Sequence, residues 1–253
     1  MTRRLEGTVA LVTGASSGIG HATALELARE GASVAVVGRR EDRLTDLAGE
    51  ITGAGGKALV VPADITDAQN AAEAVERTVE GLGRLDTLVN NAGLMLLGPA
   101  PGADLNDWRR MIDINLMGLM YTAHAAVPHL VKAAAEEPRR VADIVNISSL
   151  SGRRAYPMMA AYSASKFGVN AFSESLRQEL ARQHVRVSVI EPGSVDTELR
   201  THNPEAVQQH IAAGLGDIER LQSQDIADTV GYIVTRPRHV AVADLLVRPT
   251  EQV

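Results

Sequence analysis

No cysteine occurs among the 253 residues, which removes disulfides, thiolate nucleophiles, iron–sulfur clusters and Cys-ligated zinc from consideration. Also lacking is any apolar run near the roughly 20 residues that span a bilayer. The early apolar stretch Val9–Val12 is too short for a signal peptide, so a cytoplasmic protein without a membrane partner is expected. Basic residues are outnumbered: the formal net charge is -6, and a sequence-independent grip on phosphate backbones needs clustered Lys and Arg, so no nucleic-acid partner is expected. The histidines form neither an H-E-x-x-H pair nor a carboxylate-spaced cluster, so no metal site is expected. No internal repeat or low-complexity linker interrupts the chain. Its length is near the upper size of one α/β core, and one domain spanning 1–253 is expected.

Short runs rich in Val and Ile alternate with longer segments of helical pattern. That is the form taken by a parallel sheet covered on both faces. The expected strands are Val9–Thr13, Ser33–Val37, Ala58–Val61, Thr87–Asn90, Val141–Ile147, Val185–Ile190 and Asp244–Val247. The expected helices are Ile19–Glu30, Glu41–Ala54, Ala68–Leu82, Asn106–Ala135, Met158–Arg182 and Asp225–Thr235. Together they predict a doubly wound α/β fold, a parallel sheet of about seven strands with helices on both faces. The segment Glu198–Gln222 is polar and only weakly periodic. It follows the sixth strand, where such sheets open onto their ligand crevice, and reads either as a substrate lid or as an ordinary pair of connecting helices.

The first strand runs into Thr13-Gly14-Ala15-Ser16-Ser17-Gly18-Ile19-Gly20 and then directly into helix. Glycines at 14, 18 and 20 let the chain turn sharply and let a pyrophosphate approach the backbone, with helix N–H groups directed at the anion. The spacing is G-x-x-x-G-x-G rather than the commoner G-x-G-x-x-G. Arg39 and Arg40 follow the second strand, where an acidic residue would accept a bond from a ribose hydroxyl and repel a 2′-phosphate. A guanidinium there gives the phosphate a bidentate, charge-assisted partner, which predicts NADP(H) over NAD(H).

Tyr162 and Lys166 are spaced to share one face of a helix. An adjacent ammonium favours the phenolate and would lower the phenol's pKa toward the working pH, making the pair a proton donor or acceptor for an alcohol–carbonyl couple. The strand Ile144–Ile147 ends in Ser148 and Ser149. A serine at that end can polarise a carbonyl beside the phenol, or it can simply cap the next turn.

With these residues in view, the chain resembles the short-chain dehydrogenase/reductase family over essentially its whole length. The matching motifs are the glycine-rich turn, Asn90-Asn91-Ala92-Gly93, Asn115, Ser149, Tyr162-x-x-x-Lys166 and Pro192-Gly193-x-Val195-x-Thr197, all in family order. The resemblance implies that Tyr162 is the general acid in reduction and the base in oxidation, with Ser149 on the carbonyl oxygen. It also implies that Lys166 lowers the phenol's pKa and holds the nicotinamide ribose, while Asn115 keeps a water in a proton relay. Cofactor contacts are implied for Gly14, Ser16, Ser17, Gly18, Ile19, Gly20, Arg39 and Arg40. On the adenosine side they extend to Asp64, Ile65, Asn91, Ala92 and Gly93, and on the nicotinamide side to Pro192, Gly193, Val195 and Thr197, with Tyr162 and Lys166.

The resemblance also implies a single Rossmann-like domain, a small-molecule carbonyl or alcohol substrate, and a homotetramer or homodimer. The small apolar face of the Tyr162 helix, from Ala160 to Phe172, could pack on a copy of itself. More narrowly, Met95–Pro99, Phe167–Glu174 and the tail Arg248–Val253 look like actinobacterial carbonyl reductases related to clavulaldehyde reductase. The lid segment differs from theirs.

Overall fold

The computed structural model describes residues 3–252. Its strands are β1 (Val9–Thr13), β2 (Ser33–Gly38), β3 (Lys57–Pro62), β4 (Thr87–Asn90), β5 (Ala142–Ile147), β6 (Val185–Pro192) and β7 (Asp244–Val247). All pair in parallel, in the order β3-β2-β1-β4-β5-β6-β7. The helices are α1 (Gly18–Arg29), α2 (Glu41–Gly53), α3 (Ala68–Leu82), α4 (Leu105–Ile112), α5 (Gly118–Ala135), α6 (Ala160–Leu180), α7 (Glu205–Leu215) and α8 (Ser223–Val234).

Side-chain alternation along the strands divides the apolar residues between two cores. Ala10, Val12, Val34, Val36 and Val145 face one way, against α1, α2 and α8; Leu11, Ala35, Val37, Leu88 and Ile144 face the other, against α3, α5 and α6. Every residue of β1, β4, β5 and β6 is buried, whereas the edge strand β7 has none buried. The winding reverses between β1 and β4, so the connections at their carboxyl ends diverge and leave a crevice.

Two expected elements differ. The single helix expected over Asn106–Ala135 is broken by a π-helical stretch, Asp113–Met117, which inserts a wider turn around Asn115. The helix expected from Met158 begins at Ala160, because Met158 adopts a left-handed φ of 66° that no helix continues.

Beneath the crevice runs a buried polar chain. Thr122 Oγ1 donates to Asn90 Oδ1 (2.7 Å), Asn90 Nδ2 to Asn146 Oδ1 (3.0 Å), and Asn146 Nδ2 to Ser173 Oγ (2.8 Å). It ties α5, β4, β5 and α6 together directly below the strand ends. Replacing Asn146 by Leu orphans the buried Asn90 amide and should cost about 1–3 kcal/mol. The urea denaturation midpoint is expected to fall with an unchanged slope; an unmoved midpoint would contradict the assignment.

Candidate active site

The crevice is a cavity of about 960 Å³, lined by residues from the ends of β1, β2, β4, β5 and β6. At one end the glycine-rich turn leaves β1. Gly14 takes a φ of +65°, and a Cβ there would stand 2.7 Å from Ala92 Cα, so the β1 and β4 turns can approach only over glycine. Asn91 holds the approach closed, its Nδ2 donating to Thr13 O (3.0 Å) and Gly14 O (3.2 Å). Ser17, at the N-cap of α1, makes no side-chain capping bond. The first-turn N–H groups therefore remain available to an anion. Ser16, Ser17, Gly18 and Ile19 line the cavity, as do Asp64, Ile65, Ala92 and Gly93; Gly20 is buried behind the turn.

The two arginines expected at the end of β2 part company. Arg40 donates to Ser16 Oγ (3.1 Å from Nε, 3.0 Å from Nη2) and to Ser17 Oγ (2.7 Å). Arg39 lines the cavity but makes no hydrogen bond or ion pair among the described residues. Arg43, one turn into α2, stands beside Arg40, and both reach Glu198 at the start of the segment after β6, at 3.0 Å (Arg40) and 2.6 Å (Arg43). The Glu198 carboxyl is held down at about 2, first by Arg43 and then by Arg40. Sequence reasoning missed Arg43 and Glu198, since nothing local in the chain signals their meeting. The residues around the turn fit the phosphates of a dinucleotide: free helix N–H groups, serine hydroxyls and two guanidiniums surround one end of the cavity.

At the other end, β5 delivers Ser149 and α6 delivers Tyr162 and Lys166, and all three line the cavity. Ser149 Oγ accepts from Ser151 N (3.0 Å), capping a short turn while its own O–H stays free to donate. The capping bond expected of that serine is therefore present, and it leaves the hydroxyl proton uncommitted. Tyr162 is 6% exposed and Lys166 5%. Lys166 Nζ donates to Ile147 O (2.8 Å) and lies 5.9 Å from the Tyr162 ring centroid.

No hydrogen bond joins the amine to the phenol, and the expected lowering of the phenol's pKa is absent from this arrangement. Burial pushes Tyr162 up and Ser149 draws it partly back, although no hydrogen bond of standard geometry joins the two hydroxyls. Burial lowers Lys166 to about 8. Asn115, inside the π turn, spends its whole side chain on neighbours: Oδ1 accepts from Leu94 N (2.7 Å), and Nδ2 donates to Leu94 O (2.8 Å) and Ser165 Oγ (3.0 Å).

Above Tyr162 the wall is apolar: Leu94, Leu97 and Met111 are buried, with Met95, Leu96, Ile114, Met159 and Val207 packed against them. The segment after β6 contains helical structure. It forms a short 3-10 turn at Glu198–His202 and then α7, and returns to bridge Val195 through Leu221. Asn203 clamps it onto the β4 loop, accepting from Leu97 N (2.7 Å) and donating to Met95 O (2.8 Å). Pro192, Gly193, Val195 and Thr197 line the wall beneath.

If Glu198 fastens this segment, Glu198→Gln should speed amide exchange over Glu198–His202 by about 2–5-fold at pH 7, the worth of exposed ion pairs. Because its carboxyl titrates near 2, the wild-type advantage should be full above the ordinary 4.5 and decline only as pH falls toward 2. Equal exchange in the two proteins would contradict this.

Residues 8–208 match the family model described as short chain dehydrogenase. An uncharacterized oxidoreductase of Staphylococcus aureus (strain MRSA252) is 37% identical over 246 residues, covering 97% of this chain and 98% of that protein. Among solved structures, a short chain dehydrogenase from Burkholderia cenocepacia J2315 in complex with NADP superposes with a TM-score of 0.85 at 30% identity, covering 97% of this chain and 98% of that one. The closed form of serine dehydrogenase complexed with NADP+ gives 0.88 at 31%, covering 97% and 96%. With a family model over most of its length, and the seven-stranded parallel sheet of these neighbours, the chain belongs to the short-chain dehydrogenases, a family of oxidoreductases.

Proposed function

We propose that the protein is an NADPH-dependent carbonyl reductase, one domain in which residues 198–222 close over the substrate. The observation that carries the reading is that one cavity holds the glycine-rich turn with Arg40 at one end and Ser149, Tyr162 and Lys166 at the other. Bound NADPH would supply the hydride that reaches the carbonyl carbon. Gly14, Ser16, Ser17, Gly18 and Ile19 cradle its pyrophosphate, with Gly20 packed behind. Arg40 and Arg43 meet the 2′-phosphate, with Arg39 at the rim. Asp64, Ile65, Asn91, Ala92 and Gly93 line the adenosine side, and Pro192, Gly193, Val195 and Thr197 the nicotinamide side. The NADP complexes of the structural neighbours support this cofactor.

In the reaction, Ser149 donates its free O–H to the substrate's carbonyl oxygen, and Tyr162 passes its phenolic proton to the same oxygen as charge develops there. A phenol whose pKa burial has raised stays protonated near neutrality, the form that acts as the acid in reduction. The Lys166 ammonium stabilises the phenolate left behind and holds the nicotinamide ribose. Asn115, its side-chain groups committed, serves the relay through its main chain.

The apolar wall favours a neutral, hydrophobic aldehyde or ketone. The two arginines at that end already face a carboxylate each, Arg110 with Asp107 and Arg200 with Asp196, so a substrate carboxylate such as serine's would compete with these ion pairs for their charge. Of the narrower resemblance we carry over the carbonyl-reductase role and not clavulaldehyde as the substrate. The half-exposed Phe167 on α6 supports association of copies, as a tetramer or dimer.

The test is NADPH oxidation across a panel of neutral and carboxylated aldehydes and ketones. Tyr162→Phe should lower kcat by about 10²–10⁴-fold while leaving NADPH affinity nearly intact; retained turnover would remove the phenol from the mechanism, and saturable binding without oxidation would point to a nucleotide sensor instead. Because Lys166 is an ammonium only below about 8, kcat/KM for reduction should fall above that pH, and Lys166→Arg should abolish the fall at a lower absolute rate. A flat profile would contradict the role. The cofactor assignment predicts opposite shifts: Arg40→Ala should raise the KM for NADPH at least about tenfold more than that for NADH, and Glu198→Gln, which frees both cations, should lower it a few-fold. Equal effects on the two cofactors would refute it.

A further inference from the structure

β6 ends at Pro192, and beyond it the turn Gly193–Thr197 loses most of its sheet partners while still lining the cavity. Its main chain is fixed from two other directions. Ser194 O accepts from Leu221 N (3.1 Å) and Asp196 N donates to Leu221 O (2.8 Å), which anchors the turn to the return of the lid segment. The second anchor is the tail after β7. Gly193 N donates to Val247 O (2.7 Å), the chain then reverses with Gln252 N donating to Pro249 O (3.1 Å), and the Gln252 side chain comes back over the turn. There Gln252 Oε1 accepts from Ser194 N (2.9 Å), a donor with no other partner among the described residues. Glu251 Oε2 accepts from Glu219 N (3.2 Å), joining the tail to the lid segment as well.

Gly193 itself carries the mark of this contact. Its φ lies outside the left-handed region, so backbone freedom is not what a glycine provides here. What it provides is space: a Cβ at 193 would overlap Gln252 Oε1 and stand 3.1 Å from Pro249 Cδ. The glycine and the tail glutamine are one fitted pair. Both Glu251 and Gln252 line the cavity, and Gln252 Nε2 makes no hydrogen bond within the protein among the described residues.

We propose that Gln252 is a positioning residue: by holding the Ser194 N–H and filling the space above Gly193, it sets the turn on which the nicotinamide end of the cofactor rests. The proposal relies on the dinucleotide reading given under Proposed function for which end of the cavity is which. It assigns the tail to the active site, although the tail lies far in sequence from every other residue of that site. Its side-chain carbonyl does the holding, so Glu, which keeps an acceptor in the same place, is a competent substitute, whereas Ala is not.

The test compares two nucleotides by titration calorimetry: NADP+, and 2′,5′-ADP, which has the phosphates and adenine but no nicotinamide. Gln252→Ala should weaken NADP+ by about 3–10-fold, the worth of one ordinary hydrogen bond, and leave 2′,5′-ADP within twofold; Gln252→Glu should restore NADP+ to within about twofold of wild type. General damage to the fold would weaken both ligands together, and that result would overturn the proposal, as would unchanged binding of both or a failure of the Glu variant to rescue.

A wild-type protein that binds neither nucleotide would overturn the dinucleotide reading and this proposal with it. A wild type that binds both, with a Gln252→Ala variant whose affinity for each is unchanged, overturns this proposal alone. The fitted pair is read without any ligand by a double-mutant cycle in urea. Gly193→Ala should cost markedly less stability in the Gln252→Ala background than in the wild type, and strict additivity would contradict the contact.

Discussion

Withdrawal of a phenol and an amine from water, side by side at the end of β5, is the constraint on which the rest of this structure depends. Each group alone is costly to bury; Lys166 is accommodated by the Ile147 carbonyl, and Tyr162 by Ser149 and an apolar wall of Leu and Met side chains. The consequence runs against the simplest view of a Tyr-x-x-x-Lys pair. In this arrangement desolvation, not the neighbouring charge, dominates the phenol, and it shifts both groups toward their neutral forms. That agrees with the acid role proposed for Tyr162, in which the phenol keeps its proton until a carbonyl oxygen takes it.

Holding such a site open needs its walls fixed without filling it, and the chain does this repeatedly with carboxamides. Asn91 joins the β1 and β4 turns, Asn115 pins Leu94 through a π-helical turn, Asn203 pins the segment after β6 to the β4 loop, and Gln252 holds the turn after β6. Each bonds main-chain groups at or beyond the strand ends. An amide does this well because it presents a donor and an acceptor without charge, and so does not disturb the titration of Lys166 and Tyr162. The charged fastening, Glu198 with Arg40 and Arg43, is confined to the solvent-exposed end of the crevice, where an ion pair is inexpensive to break.

Much of this was legible in the sequence. Short runs rich in Val and Ile located all seven strands to within a residue or two, because strands of a parallel sheet covered on both faces read as continuous apolar runs. The glycine turn, Ser149, Tyr162, Lys166 and Arg40 were found because local spacing carries their meaning, and the structure brings them to one cavity. What was missed lay in two kinds of place. The π turn at Asn115 inserts its extra residue without disturbing apolar periodicity, so Asn106–Ala135 read as one unbroken helix. Arg43, Glu198, Asn203 and Gln252 acquire their roles only through contacts between distant segments, and a polar residue in an irregular stretch looks the same whether it clamps a lid or faces water. Arg39 and Arg40 could not be told apart for the same reason: which of two neighbouring guanidiniums turns inward is decided by Ser16, Ser17 and Glu198.

The central claim is that burial keeps the Tyr162 phenol protonated through neutrality. It is tested most directly by following tyrosine ionisation in the ultraviolet for the ligand-free wild type and subtracting the same titration of a protein lacking that phenol. The account predicts that the difference ionises only above the ordinary phenol value of 10. A component titrating between pH 6 and 9 would mean that the neighbouring ammonium outweighs desolvation, and would contradict it.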